Sequence, residues 1–199
     1  MGVRATALRS SSTEEAPRWL TAAAILALAG ATIGTGLDAI HVHTGTTAYA
    51  QPVLFGQAWW VPPLFAGAAL AIGLGRPLVE RVLGVHGPTP TASATAGGMG
   101  LFVLAYAASG LVGGGPALRS VLLAAMFAAA WLLWDRTGLG LVLAMLTAII
   151  GTLVEITLVR TGTFGYREPS LAGVTVWLPW LYGCAAVGVG NFGKRLVDG

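Results

Sequence analysis

Six largely apolar stretches, at about 19–37, 59–75, 97–114, 117–134, 139–159 and 174–190, leave this chain few ways to fold. Each is close to the ~20 residues that carry a helix across ~30 Å of hydrocarbon. The runs do not alternate apolar with polar residues, as the strands of a membrane barrel would. A soluble domain of 199 residues could not bury a composition that is 55% hydrophobic and 10% charged, with mean hydropathy +0.76. The expected fold is an all-α polytopic membrane protein of six transmembrane helices, forming a single domain over 19–197. Residues 1–18 are expected to be a disordered cytoplasmic tail.

Orientation follows from the basic residues. With the N-terminus inside, Arg4, Arg9, Arg18, Arg76, Arg81, Arg136, Lys194 and Arg195 face the cytoplasm, and Arg119, Arg160 and Arg167 face outward. That bias puts both termini in the cytoplasm. The net charge of +3 therefore reports topology and anionic headgroups, and calls for no nucleic acid. The first stretch is too long for a signal peptide's apolar region and lacks a small-residue cleavage site. Met1-Gly2 opens a loose myristoylation pattern, although a plain polar tail accounts for it as well. The single cysteine, Cys184, lies inside a span, so disulfides contribute nothing to this fold.

No internal repeat stands out, which weighs against a transporter built from inverted halves. Gly30/Gly34, Gly110/Gly114 and Gly67/Ala71 are spaced to let helix backbones approach closely. The segment 77–84 reads as a short interfacial turn followed by a flexible linker to residue 96. Gly188-Val-Gly-Asn-Phe-Gly193 matches a dinucleotide fingerprint, but there is no strand before it, so it reads as a helix end capped at Gly193, with Lys194 and Arg195 at the headgroups. Pro179 is expected to kink the last span by removing a hydrogen bond to the Thr175 carbonyl.

Asp38, His41 and His43 sit where the first span leaves the membrane, and Glu155 could supply a further carboxylate from the outer end of span five. A three-ligand metal site would need the chain to unwind, since His43 leaves the face shared by Asp38 and His41. The alternative is interfacial hydrogen bonding, with Glu155 pairing to Arg160 or Arg167. No metal or other cofactor is expected.

Ala58-Trp-Trp-Val-Pro-Pro63, Trp131-Leu-Leu-Trp-Asp135-Arg136, Gly162 with Tyr166-x-x-Pro169, Trp177-Leu-Pro179 and Gly190-Asn191-x-Gly193-x-Arg195-Leu196 occur in that order. Together they resemble the Insig (insulin-induced gene) family across about residues 55–197. The resemblance implies six spans with cytoplasmic ends, and a non-enzymatic regulator that binds oxysterol and membrane partners with sterol-sensing domains. It further implies that Asp135 matches the family's partner-binding aspartate, and that Phe102 and Trp131 line a lipid pocket, to which Tyr106, Trp134, Trp177 and Trp180 are added as candidates. Departures are Thr137-Gly138-Leu139 in place of a serine-rich stretch, and Glu168-Pro169-Ser170 in the outer loop. The arginine-rich, lysine-poor composition looks bacterial.

The reading is a non-catalytic protein of the bacterial inner membrane that holds a sterol-like or diacylglycerol-like lipid. A homo-oligomer is expected, with the trimer favoured. The alternatives are an intramembrane lipid-modifying enzyme or a small transporter using Asp38, His41 or Glu155.

Overall fold

The computed structural model describes the backbone of residues 3–199 and the side chains from residue 16 onward. Met1-Gly2 and the side chains of most of the expected tail lie outside the described residues; the backbone of α1 begins at Val3. Helix α1 (Val3–Ala29) continues through a π-helical turn (Gly30–Gly34) into α2 (Thr35–His43). After strand β1 (Thr47–Tyr49) come α3 (Val61–Leu83), α4 (Ala92–Leu111), α5 (Gly115–Trp134) and α6 (Gly138–Arg160). Strand β2 (Phe164–Tyr166) precedes α7 (Leu178–Asp198). Among the described residues five helical segments are long and apolar enough to cross a membrane, the first being Ala16–His43.

Helix α7 explains why the count is five. It occupies the centre of the bundle, packed by α3, α4, α5 and α6 and touched by α1. Facing protein on nearly every side, it needs small residues more than apolar ones, and Gly183, Gly188, Gly190 and Gly193 are all buried. A Cβ at Gly188 would meet the Gly98 carbonyl of α4, and one at Gly193 would collide with the Gly73 carbonyl of α3. Pro77 lies inside α3 four residues after Gly73. Its missing N–H frees that carbonyl, and Gly193 closes over it.

Several sequence expectations are corrected here. Segment 77–84 is no interfacial turn: α3 runs to Leu83 and ends on Gly84 in the left-handed region, φ 66°. Pro179 does not kink a span, because α7 starts at Leu178 and its first turn has no N–H partner to lose. Gly193 is no cap but an interior contact, and Lys194 is buried instead of reaching headgroups. Gly114 lies outside α4, with φ 98°.

An internal repeat is present after all. At one constant offset, the 117 positions separating Asp38 from Glu155, Ala31, Ile33, Gly34 and Thr35 recur as Ala148, Ile150, Gly151 and Thr152. Thr44-Gly45-Thr46, Tyr49, Pro52, Leu54, Gly56, Trp60 and Pro62 recur as Thr161-Gly162-Thr163, Tyr166, Pro169, Leu171, Gly173, Trp177 and Pro179. The backbone follows. Thr44 and Thr161 both end their helices at φ −78°, ψ −5°. Phe55-Gly56 and Ala172-Gly173 both turn at positive φ, inside the bridges Leu54–Gln57 and Leu171–Val174. Two successive positive-φ residues make the type I′ turn that suits a two-residue hairpin. The repeat escapes a scan of the apolar runs because its identities sit in the turns and at helix ends.

The two copies, α1–α2–β1–α3 and α6–β2–α7, meet about a pseudo-two-fold axis. Strands β1 and β2 pair antiparallel, with Ala48 opposite its own counterpart Gly165. At the opposite end Arg81 lies over the Trp19 ring, 5.4 Å from its centroid, and Arg195 donates to the Pro90 carbonyl. The beginning of the first span and the C-terminus thus share one end of the bundle, and the ribbon marks the other.

Gly193→Ala is expected to lower the unfolding midpoint in detergent, reflecting about 1–3 kcal/mol of overpacking. Gly67→Ala and Gly75→Ala, where a Cβ meets nothing within 4 Å, should leave it unchanged.

Candidate functional site

Two buried polar centres lie at opposite ends of the bundle. At the terminal end Arg76 of α3 donates from Nη1 to Asp135 Oδ2 and to Asn191 Oδ1, both at 2.6 Å. Its Nη2 reaches Asp135 Oδ1 at 3.3 Å, and Nε reaches Glu80 Oε1 at 3.3 Å. Lys194 pairs with Glu80 and, at 3.3 Å, with Asp198. Asn191 donates to the Trp134 carbonyl at 3.1 Å. Charges this far from water persist only when paired and fully hydrogen-bonded, and this network meets that condition across α3, α7 and the α5–α6 turn.

Asp135 is central to that turn. Its Oδ1 accepts from the Thr137 amide at 3.1 Å and from the Thr137 hydroxyl. Thr137 in turn caps α6, its hydroxyl accepting from the Gly140 amide at 2.9 Å. A Cβ at Gly140 would run into the Asp135 carboxylate. A cavity of about 50 Å³ lies beside the Arg76–Asp135 pair, lined also by Ile72, Leu143, Thr147 and Ala186.

At the ribbon end the repeat supplies twin carboxylates. Asp38 accepts from the Tyr49 hydroxyl at 2.6 Å and the Gln57 amide at 2.7 Å. Glu155 accepts from Tyr166, the counterpart of Tyr49, and from Tyr182 at 2.8 Å. Burial first, and the adjoining carboxylate next, push both the Tyr49 and Tyr166 phenols above their ordinary value, so each keeps the proton it donates. Glu155 is therefore satisfied by tyrosines, and the expected pairing with Arg160 or Arg167 does not occur.

His41 joins Ser109 at 2.8 Å through Nε2 and lies 4.0 Å from Asp38 through Nδ1. The composition is that of a hydrolytic triad, but the polarity is reversed. Ser109 gives its proton to the Tyr106 carbonyl at 2.7 Å, so it accepts from His41 instead of being activated by it. His41 is also stacked on Tyr106 with centroids 4.6 Å apart, and Ser109 is fully buried. His43 stands apart from this cluster. Among the described residues no group of three or more His, Cys, Asp or Glu is placed to hold a metal.

The six aromatic candidates do not converge on one pocket. Trp177 is completely buried, against His41 and Tyr166. Tyr106 is buried as well, with Phe102 edge-on to it. Trp134 covers Gly97 on α4, while Trp131 donates to the Thr137 carbonyl at 3.1 Å. Trp180 is 38% exposed and donates to Ser120 at 3.0 Å. Phe102, Trp131, Trp134 and Trp180 thus keep some exposed surface on or beside α5.

No protein-family model matches the chain. The insulin-induced gene 1 protein of Gallus gallus is 29% identical over 180 residues, covering 88% of this chain and 71% of the relative. The Homo sapiens protein is 29% identical over 187 residues, covering 92% and 68%. The crystal structure of the mycobacterial Insig homolog MvINS from Mycobacterium vanbaalenii superposes with a TM-score of 0.79 at 30% identity, over 89% of this chain and 94% of that one. A cross-linked trimer of MvINS gives the same TM-score at 31% identity. The chain belongs to the Insig family. As an Insig homologue of bacterial kind with several apolar spans, it is an integral membrane protein.

Sequence reasoning found Asp135, Asp38 and Glu155 but missed Arg76, Glu80, Asn191 and Lys194 as one network. Positive charge near a span end usually marks the cytoplasmic face, which is where the charge pattern alone puts Arg76 and Lys194. The usable signal was Arg76-x-x-x-Glu80, an i,i+4 pair inside one helix.

Arg76→Ala and Asp135→Ala are each expected to cost about 3–5 kcal/mol, since each leaves a buried partner uncompensated. The double variant should cost less than the sum, in thermal unfolding of detergent-solubilised protein.

Proposed function

We propose that this Insig homologue is a non-catalytic lipid-binding protein of a bacterial inner membrane. Its six helices, the sheltered α7 included, cross the bilayer as one domain with both termini cytoplasmic, and residues 1–18 form a tail. The charge bias supports this orientation, as does the shared end at which the described termini meet.

One observation carries the lipid reading. Helices α5 and α6 are joined by Asp135-Arg136-Thr137 alone, yet they scarcely touch, each packing on α7 instead. Antiparallel neighbours on so short a turn ordinarily pack along their length. Here they form the two walls of a V whose apex is the Asp135–Arg76 pair and whose floor is α7. Phe127 of α5 lies against Gly183, and Tyr182 against Gly151 of α6. A lipid with a small hydroxyl head, diacylglycerol-like or sterol-like, enters from the side, with its chains between the walls and its head toward the apex. Trp131 lines the α5 wall and Trp180 of α7 joins it through Ser120, with Phe102 and Trp134 behind. Tyr106 and Trp177, buried in the core, hold α2 and α4 to α7.

Asp135 is buried in this arrangement, so any effect on a sterol-sensing-domain-type partner acts through the shape of the turn. A homo-oligomer, most simply a trimer, is favoured by the trimeric assembly described for MvINS. The reversed Ser109–His41 polarity weighs against the enzymatic alternative.

A photo-crosslinkable diacylglycerol in nanodiscs should label peptides of α5 and α6, with competition by unlabelled diacylglycerol. Trp131→Ala should cut the labelling several-fold. Labelling spread over all helices and insensitive to competitor would overturn the proposal.

A further inference from the structure

At the ribbon end a second cavity, of about 60 Å³, is walled by Thr44 and Thr46, Gly110, Arg119, Arg167, Glu168 and Thr175. It is distinct from the proposed lipid groove, and too small for acyl chains. We propose that it binds a phosphate group, held by Arg119, Arg167 and Thr175.

The charge count favours an anion. Arg119 donates from Nε to the Val112 carbonyl at 2.7 Å and from Nη1 to Glu168 at 3.0 Å, leaving Nη2 available. Glu168 thereby balances one guanidinium. The other, Arg167, lies over Gly45, where any Cβ would collide with it, and it has no carboxylate partner among the described residues. Two guanidinium groups sharing a small, half-enclosed space repel each other until an anion joins them.

The hydroxyls point to the same ligand. Thr44 donates to the His41 carbonyl at 3.2 Å, which leaves Thr46 to donate to Thr44 at 2.9 Å. Both protons are spent. Thr175 is different: it is 1% exposed, its Oγ1 has no partner, and it lines this cavity. A buried hydroxyl without a partner is costly, and an oxyanion would accept its proton. Phosphate offers several acceptor oxygens, matching guanidinium N–H groups and a hydroxyl that converge from different sides.

The repeat provides an internal control. The first copy builds the same turn with Ala50, Gln51 and Ala58 at the positions of Arg167, Glu168 and Thr175. The fold therefore does not require the second copy's charges or its buried hydroxyl. They are additions to a scaffold that forms without them, and they gather around one cavity.

The phosphate can come from a phospholipid headgroup at the membrane surface or from free phosphate, and the test separates these sources. Wild type, Arg167→Ala and Thr175→Ala would be compared, both variants installing the residue that the first copy already carries. Thermal unfolding is followed with inorganic phosphate, and native mass spectrometry follows retention of phosphatidylglycerol. Free phosphate binding predicts a rise in unfolding midpoint for wild type that falls at least tenfold in apparent affinity in Arg167→Ala and several-fold in Thr175→Ala. Headgroup binding predicts no response to inorganic phosphate but loss of retained phosphatidylglycerol in both variants. Should Arg167→Ala fail to fold, Arg167→Gln with Thr175→Ala gives the same comparison. If neither probe distinguishes wild type from the variants, the site does not exist.

Discussion

Everything in this bundle depends on letting one helix be surrounded. A helix with protein on nearly every side cannot carry large side chains all round, and α7 solves this with glycine. Where it meets α3 the approach is backbone to backbone, Gly193 against the carbonyl that Pro77 leaves free on Gly73. In a membrane, helix association has no hydrophobic drive, so this closeness is itself the attraction. Once α7 is seated, Asn191 and Lys194 are carried into the interior, where Arg76 and Glu80 are required to satisfy them.

The apolar runs made the helical class and most of the helices readable, because hydropathy decides what a bilayer accepts. Their ends were less readable. Ala16–His43 extends past Asp38 and His41, and α3 past Arg76 and Glu80, because protein neighbours bury those residues and no lipid meets them. Hydropathy describes contact with lipid, so it fails wherever a helix turns polar residues toward its own bundle. The candidate site divides in the same way. Asp38 and Glu155 stand out as carboxylates near spans, but Tyr49 and Tyr166 reach them from the ribbon strands and Gln57 from the turn after β1, while Asp135 is held by Arg76 from a helix distant in sequence.

The duplication accounts for features that look unrelated when taken singly. Paired carboxylates, paired tyrosine donors, matched I′ turns and prolines opening α3 and α7 are one unit built twice. The copies then diverged by position. The second copy's last helix took the centre of the bundle, and Arg76 of the first copy corresponds to Gly193 of the second. A side chain that holds the network together on one side of the axis is replaced by the absence of a side chain that lets the helices touch on the other.

The ribbon also sets a parity rule for the chain between the copies. Ala48 can face Gly165 only if both copies turn back at the same end of the bundle. The intervening segment must therefore traverse the bundle an even number of times, as α4 and α5 do. Removing the pair as a unit would leave both copies turning back at the same end. Losing one of them would turn the second copy upside down, and no local repacking could restore the pairing.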